Sequence, residues 1–190
     1  MNSISIIAGE LKGKKIPFNS NKFKANITSQ KVKGAVFSML GEYLYSKTFL
    51  DLFACSGQIG LEALSRGAEL VVFNERDKKR YQFIKDYVSQ IHYEKKIMLL
   101  NVSASRIPSI LQEKNIQIDY IYIDPPYRKN DTIVSVYYTL MKLIEDSHIL
   151  RQDGSIIIQH FKKSKLDDSI GIFQKQITKI YGTTVLSLYR

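Results

Sequence analysis

Asp124-Pro125-Pro126-Tyr127 follow the apolar run Tyr120-Ile121-Tyr122-Ile123, and these residue types suggest a chemistry before any fold is considered. An alternating, β-branched run reads as a buried strand, and two consecutive prolines, which lack N–H donors, must end it. An acid and an aromatic ring are thus delivered together at a strand's carboxyl end, the edge on which open α/β sheets bind ligands. A carboxylate beside rigid carbonyl groups and a flat ring suits a planar group bearing an NH2. A strand-ending turn without a ligand fits these four residues equally well, so the decision falls on what stands upstream.

The segment Leu50-Asp51-Leu52-Phe53-Ala54-Cys55-Ser56-Gly57-Gln58-Ile59-Gly60 joins an apolar strand to a helix. Small residues let the backbone approach a ligand, and a helix amino terminus offers free N–H groups. The pattern is not a phosphate loop, because G-x-x-x-x-G-K-[ST] is absent and G-x-G-x-x-G would need glycine at Cys55. Asp51 would repel a pyrophosphate and favour a cationic ligand. S-adenosylmethionine fits, since it carries a sulfonium and an ammonium next to one carboxylate. The candidate cofactor residues here are Asp51, Phe53, Ala54, Ser56 and Gly57. A tight turn without a ligand explains less, because an acid at a buried strand end is costly. Glu75 ends the next run, Val71-Val72-Phe73-Asn74, eighteen residues after Gly57. An acid there is placed for the two hydroxyls of a ribose; taken alone, it is also a solvated acid ahead of Arg76-Asp77-Lys78-Lys79-Arg80. Ser103, after the strand Ile97–Leu100, stands where a polar side chain could reach an adenine, and a helix-start serine explains it equally.

The elements that must position these groups alternate. Strands are predicted at Thr48–Phe53, Leu70–Phe73, Ile97–Leu100, Tyr120–Asp124 and Ser155–Gln159, the last following an Asp153-Gly154 turn. Between them the spacing predicts helices over Gly57–Arg66, Asp77–Gln90, Ser105–Leu111 and roughly 133–145. Strands alternating with helices imply a parallel sheet covered on both faces. Ile172–Tyr181 and Thr183–Tyr189 flank Gly182 and read as an antiparallel pair at the sheet edge. Ahead of the core, residues 3–8 and Lys14–Phe18 form a small hairpin turning at Gly9. Asn19–Asn26 is loop, and Thr28 or Ser29 caps a helix with Val32, Ala35, Val36, Met39 and Leu40 on its apolar face.

The chain has 190 residues, enough for one domain of full size, with 44% hydrophobic and 24% charged residues. Its net charge of +10 is uneven. Residues 1–47 hold eight lysines against Glu10 and Glu42, a net +6. A basic lobe is the electrostatic mark of a polyanion binder, although a Lys-rich composition raises charge without function too. The single cysteine, Cys55, excludes an internal disulfide and is compatible with a reducing cytoplasm. Met1-Asn2-Ser3-Ile4-Ser5 opens no signal-peptide pattern, and no apolar run approaches the ~20 residues that span a bilayer. The expectation is a cytoplasmic protein with no membrane partner. His92, His148 and His160 show no ligand spacing, so no metal is expected.

The order of glycine loop, ribose acid, adenine-edge residue and Asp-Pro-Pro-Tyr resembles the amino-methylating class of Rossmann-like methyltransferases. The likeness extends to Ile6-Ile7-Ala8-Gly9, Lys12-Gly13-Lys14-Lys15-Ile16-Pro17, Leu61-Glu62-Ala63-Leu64-Ser65-Arg66-Gly67-Ala68 and Tyr181-Gly182-Thr183-Thr184. Over nearly its whole length the chain is similar to the bacterial 16S rRNA guanine-N2 methyltransferase family. The family's usual Arg-Pro-Thr-Thr is here Asn26-Ile27-Thr28-Ser29.

That resemblance implies an α/β, Rossmann-like class I methyltransferase fold. Its sheet would be seven-stranded and mostly parallel, with an antiparallel C-terminal edge hairpin, and residues 48–190 would form the catalytic domain. Residues 1–47 become a basic hairpin-plus-helix extension for RNA docking. The implied enzyme uses S-adenosylmethionine to methylate the N2 amine of a guanine in 16S rRNA or an assembling 30S subunit, and a monomer is expected. Asp124, Pro125, Pro126 and Tyr127 would be catalytic, with Asp124 and the Pro125 carbonyl accepting the amine's N–H bonds and Tyr127 stacking on a flipped base. Lys12, Lys14, Lys15, Lys31 and Lys33 would contact phosphates. Two other readings stand beside it. A DNA adenine-N6 methyltransferase could use the same Asp-Pro-Pro-Tyr, and a non-catalytic RNA-binding or ribosome-assembly relative could keep the fold.

Overall fold

The computed structural model describes residues 4–126 and 132–190. Two short strands, β1 (Ile4–Ser5) and β2 (Lys15–Ile16), pair antiparallel. The turn between them needs glycine at Gly9, whose φ is +78° and whose added Cβ would lie 1.8 Å from the Ser65 carbonyl oxygen. Residues expected as loop contain a one-turn helix, α1 (Ser20–Phe23), because Asn19 Oδ1 accepts from Lys22 N and Phe23 stacks on Phe18. Helix α2 (Gln30–Leu40) starts where Ser29 Oγ accepts from Val32 N.

The core then alternates β3 (Thr48–Asp51), α3 (Gln58–Ser65), β4 (Leu70–Asn74), α4 (Lys78–Ser89), β5 (Ile97–Leu100), α5 (Ile107–Glu113), β6 (Ile118–Ile123), α6 (Thr132–Ser147) and β7 (Leu150–Phe161). Pro108 stands in the first turn of α5, where its missing N–H costs nothing. Strands β8 (Ser169–Ile170), β9 (Phe173–Tyr181) and β10 (Thr184–Tyr189) end the chain. The sheet order is β5-β4-β3-β6-β7-β10-β9-β8, parallel from β5 to β7 and antiparallel beyond. The two-residue β8 adds an eighth strand to the seven expected. Of the expected edge pair, β10 lies inside the sheet between β7 and β9, and Val185–Tyr189 are buried.

Strand β7 starts at Leu150, ahead of the Asp153-Gly154 pair. That pair lies within β7, where Ile118 pairs with Leu150 and Tyr120 with Ser155, so β7 carries extra residues as a bulge. The register passes from Leu150 to Ser155 across a single intervening residue of β6, so the Asp153-Gly154 pair sits in the bulge and continuous pairing starts at Ser155, where the sequence places the strand.

Period-2 alternation divides the core between the two faces. Leu50, Val72, Ile121, Ile123, Ile156 and Ile158 face one side with α5 and α6 residues such as Leu111 and Tyr137. Phe49, Val71, Phe73, Tyr122 and Ile157 face the other with Phe37 of α2, Leu64 of α3 and Ile84 of α4. Ile4, Ile6, Ile16 and Phe18 join this second cluster, so the amino-terminal extension continues the core.

One buried acid ties the extension down. Glu62 of α3 is fully buried and accepts from Ile7 N at 2.9 Å, Ala8 N at 3.0 Å, Lys33 Nζ at 2.9 Å and Arg66 Nε at 3.1 Å. Lys33 Nζ also donates to the Ser5 carbonyl at 2.6 Å. The assignment of Lys33 to RNA phosphates is therefore corrected: its side chain has no exposed surface and its charge is spent on Glu62. Burial lowers the Lys33 pKa, and Glu62 opposes that shift. Among the described residues no helix is long and apolar enough to cross a membrane.

Candidate active site

The sheet order reverses between β3 and β6. Strands β4 and β5 step outward on one side, and β7 and those beyond on the other. A crevice must open outside the carboxyl ends of β3 and β6, since their following helices leave toward opposite faces. Asp51 ends β3 and Asp124 follows β6, so the two sequence-selected acids flank this switch point. A cavity of about 1200 Å³ occupies it.

Five of the six candidate cofactor residues beside Asp51 line this cavity with it: Phe53, Ala54, Ser56, Glu75 and Ser103. Gly57 shapes the loop without lining the cavity; it precedes α3 with φ +76°, and its N–H donates to the Ala54 carbonyl at 2.6 Å. Cys55 takes φ +53°, a left-handed conformation that costs an L-residue about 1–2 kcal/mol. Its N–H is held by Glu75 Oε2 at 2.8 Å. Burial pushes the Cys55 thiol up to about 12, against Arg80, while Glu75, Asp51 and Asp124 add to the rise. At neutral pH it is therefore held as the protonated thiol.

Asp51 is 1% exposed, with Oδ2 accepting from Gly60 N at 3.0 Å. Its Oδ1 is buried with no partner in hydrogen-bond geometry among the described residues, although the Phe53 N–H lies near the carboxylate. Such an orphan costs about 1–3 kcal/mol unless a ligand supplies a donor. Burial pushes the Asp51 carboxyl up to about 7; the Gly60 N–H opposes this, Glu75 adds to it, and the Phe53 N–H opposes it. An acid so placed is ready to take up a cation.

Glu75 accepts from Cys55 N on Oε2 and from Asp77 N at 2.7 Å on Oε1, with Arg80 at 3.4 Å. A carboxylate has about four acceptor sites, so capacity remains toward the cavity. Arg80, the last residue of the charged run after Glu75, bends back onto Glu75 at the cavity wall. Ser103 Oγ lies 3.0 Å from Ser105 Oγ.

Asp124 is half-buried, Pro125 buried and Pro126 exposed; Tyr127 lies outside the described residues. Asp124 Oδ2 accepts from Gln159 Nε2 at 2.8 Å and from Thr28 Oγ1 at 3.5 Å. Gln159 Oε1 accepts from Tyr122 OH at 2.8 Å, and Tyr137 OH donates to the Gln159 carbonyl at 3.1 Å. An ionised carboxylate can only accept, so the amide must turn its NH2 to Asp124 and its oxygen to Tyr122. Gln159 was not among the candidates. The signal was present: a polar residue closing the apolar run Ile156-Ile157-Ile158.

The lysines divide. Lys12, Lys14 and Lys15 are exposed on the β1–β2 hairpin, whose turn binds the last residue of α3 through Glu10 N and the Ser65 carbonyl. That is the amino-terminal edge of the sheet, opposite the cavity. Lys31 is exposed at the start of α2, beside Asp124.

The sequence profile of the family described as Conserved hypothetical protein 95 (Cons_hypoth95) matches residues 4–190. The chain belongs to that family. Its relatives include the Bacillus subtilis protein YlbH, 30% identical over 185 residues, which cover 97% of each chain. The Escherichia coli protein named Ribosomal RNA small subunit methyltransferase D is 27% identical over 188 residues, which cover 98% of this chain and 89% of that one. Among solved structures, the Escherichia coli protein yhhF superposes with a TM-score of 0.82 at 22% identity over 99% of this chain and 97% of that one. A conserved hypothetical protein from Streptococcus pyogenes gives a TM-score of 0.71 at 30% identity over 83% of this chain and 93% of that one. The family architecture is the class I methyltransferase fold, as the motif order implied.

Proposed function

We propose that the protein is an S-adenosylmethionine-dependent methyltransferase acting on the N2 amine of a guanine in small-subunit rRNA. The observation that carries the reading is Asp124, a carboxylate held by an internal amide at the switch point, bordering the large cavity. The named relative supports rRNA as the substrate.

When bound, S-adenosylmethionine supplies a methyl group activated by its sulfonium. The chain's residues fit such a group: Asp51, with its orphan Oδ1, would hold the ammonium, Glu75 the ribose hydroxyls and Ser103 the adenine, and all three line one cavity. A guanine amine is a weak nucleophile because its lone pair is delocalised into the ring. Asp124 and the Pro125 carbonyl accept its two N–H bonds, which draws the nitrogen toward tetrahedral geometry and aims the lone pair. Proximity and alignment then supply most of the rate. Methyl transfer to the amine would release one proton, for which the Asp124 carboxylate is the nearby acceptor, and S-adenosylhomocysteine would be the leaving product. Gln159 keeps that carboxylate oriented through Tyr122.

The Asp51 assignment has a pH signature. An ammonium prefers the ionised carboxylate, so affinity is full above a pKa of about 7 and falls below it. S-adenosylhomocysteine, whose amine stays charged throughout, binds about tenfold more weakly at pH 6 than at pH 8 by calorimetry. A flat profile contradicts the assignment.

The reading itself is tested by supplying labelled cofactor with unmodified rRNA, 30S particles lacking the modification, or DNA, and identifying the labelled nucleoside. N2-methylguanosine from rRNA or 30S particles is expected. N6-methyladenine in DNA, or no transfer despite cofactor binding, contradicts it.

A further inference from the structure

A second cavity, of about 520 Å³, adjoins the first, with Asp124 and Thr28 in the wall common to both. Its inner lining includes Gln159 and Val32, and its outer lining Phe161 at the end of β7 and Tyr181 and Thr183 at the β9–β10 turn. Phe161 is 40% exposed, a large apolar ring at the mouth of this cavity. Lys31 Nζ stands 5.7 Å from the Tyr181 ring centroid on the opposite lip. Lys162 and Lys163, both exposed, continue the chain from Phe161, and Lys162 N donates to the Thr183 carbonyl at 2.9 Å, which fixes that corner. Asp124 is the sole acid lining this cavity among the described residues.

We propose that this cavity and its lysine rim form the RNA-docking surface, with phosphates on Lys31, Lys162 and Lys163 and one base passing Phe161 and Tyr181 toward Asp124. The surface rests on the rRNA methyltransferase reading and adds a location that the basic amino terminus does not supply. Cations interleaved with aromatic rings beside a cavity match unpaired RNA: the rings stack bases and the lysines track the backbone. Duplex RNA offers no splayed base to fill such a cavity. The hairpin lysines Lys12, Lys14 and Lys15 stand at the far end of α3, whose eight residues alone span about 12 Å. Phosphates bound there would not guide a base to Asp124.

The test compares two charge-reversed proteins, Lys31→Glu/Lys162→Glu/Lys163→Glu and Lys12→Glu/Lys14→Glu/Lys15→Glu, each confirmed folded by its melting temperature. Binding of a fluorescein-labelled fragment of unmodified small-subunit rRNA is followed by anisotropy across a salt series, and cofactor binding by calorimetry. The rim variant loses at least about thirtyfold in RNA affinity at ~0.1 M salt, and its log–log salt slope falls by about 2. The hairpin variant stays within about threefold, and both bind cofactor normally. Phe161→Ala raises KM for RNA about tenfold through lost stacking. A rim variant that binds RNA as the wild type does, or a hairpin variant that loses as much, overturns the surface while leaving the enzymatic reading intact. A wild-type protein that binds no RNA at any salt removes both.

Discussion

Asp124→Ala lowers single-turnover methyl transfer to rRNA by about a thousandfold, while S-adenosylmethionine binding stays within about twofold. The magnitude follows from removing the charged acceptor that aligns the amine and takes up its proton, effects that contribute about 10²–10⁴-fold in comparable sites. Asp124→Asn keeps an acceptor but not the charge, and loses about a hundredfold. Gln159→Leu leaves the carboxylate present but unheld, so kcat falls about tenfold with KM for cofactor unchanged. Tyr122→Phe in that background adds little, because its hydroxyl acts on Asp124 through the same amide. An Asp124→Ala protein with wild-type transfer refutes the role.

Glu62→Ala costs the fold about 3–5 kcal/mol, the usual effect of stripping one partner from a buried ion cluster. Lys33 is left charged with no exposed surface, Ile7 N and Ala8 N lose their acceptor, and the extension loses its anchor on α3. Most of the cost is the stranded cation, so Glu62→Gln combined with Lys33→Met recovers a large part of it in chemical denaturation. Equal stability of Glu62→Ala and the wild type contradicts this account of how the extension is held.

Strand-end acids were readable because the parallel sheet brings the ends of β3, β4 and β6 to one edge; Asp51, Glu75 and Asp124 needed no knowledge of partners. Lys33 was misread for the opposite reason. A lysine on a basic helix looks solvated, and the acid that buries it is Glu62, on another helix and beyond local pattern. Arg80 was lost in a charged run for the same reason, its partner Glu75 lying across the α4 amino terminus. The Asp153-Gly154 pair keeps its turn chemistry as the bulge of β7, and only the early pairing of Leu150 with Ile118 depends on the neighbouring strand. Gln159 needed the insight that a polar residue at the end of an apolar strand beside β6 must face Asp124.

The most direct test is a crystal structure with S-adenosylhomocysteine bound. The account predicts the amino group on Asp51 Oδ1, the ribose on Glu75 and the sulfur facing the Asp124 carboxylate across the space left for the amine. A cofactor seated elsewhere, or one whose sulfur is walled off from Asp124 by protein side chains, would contradict it.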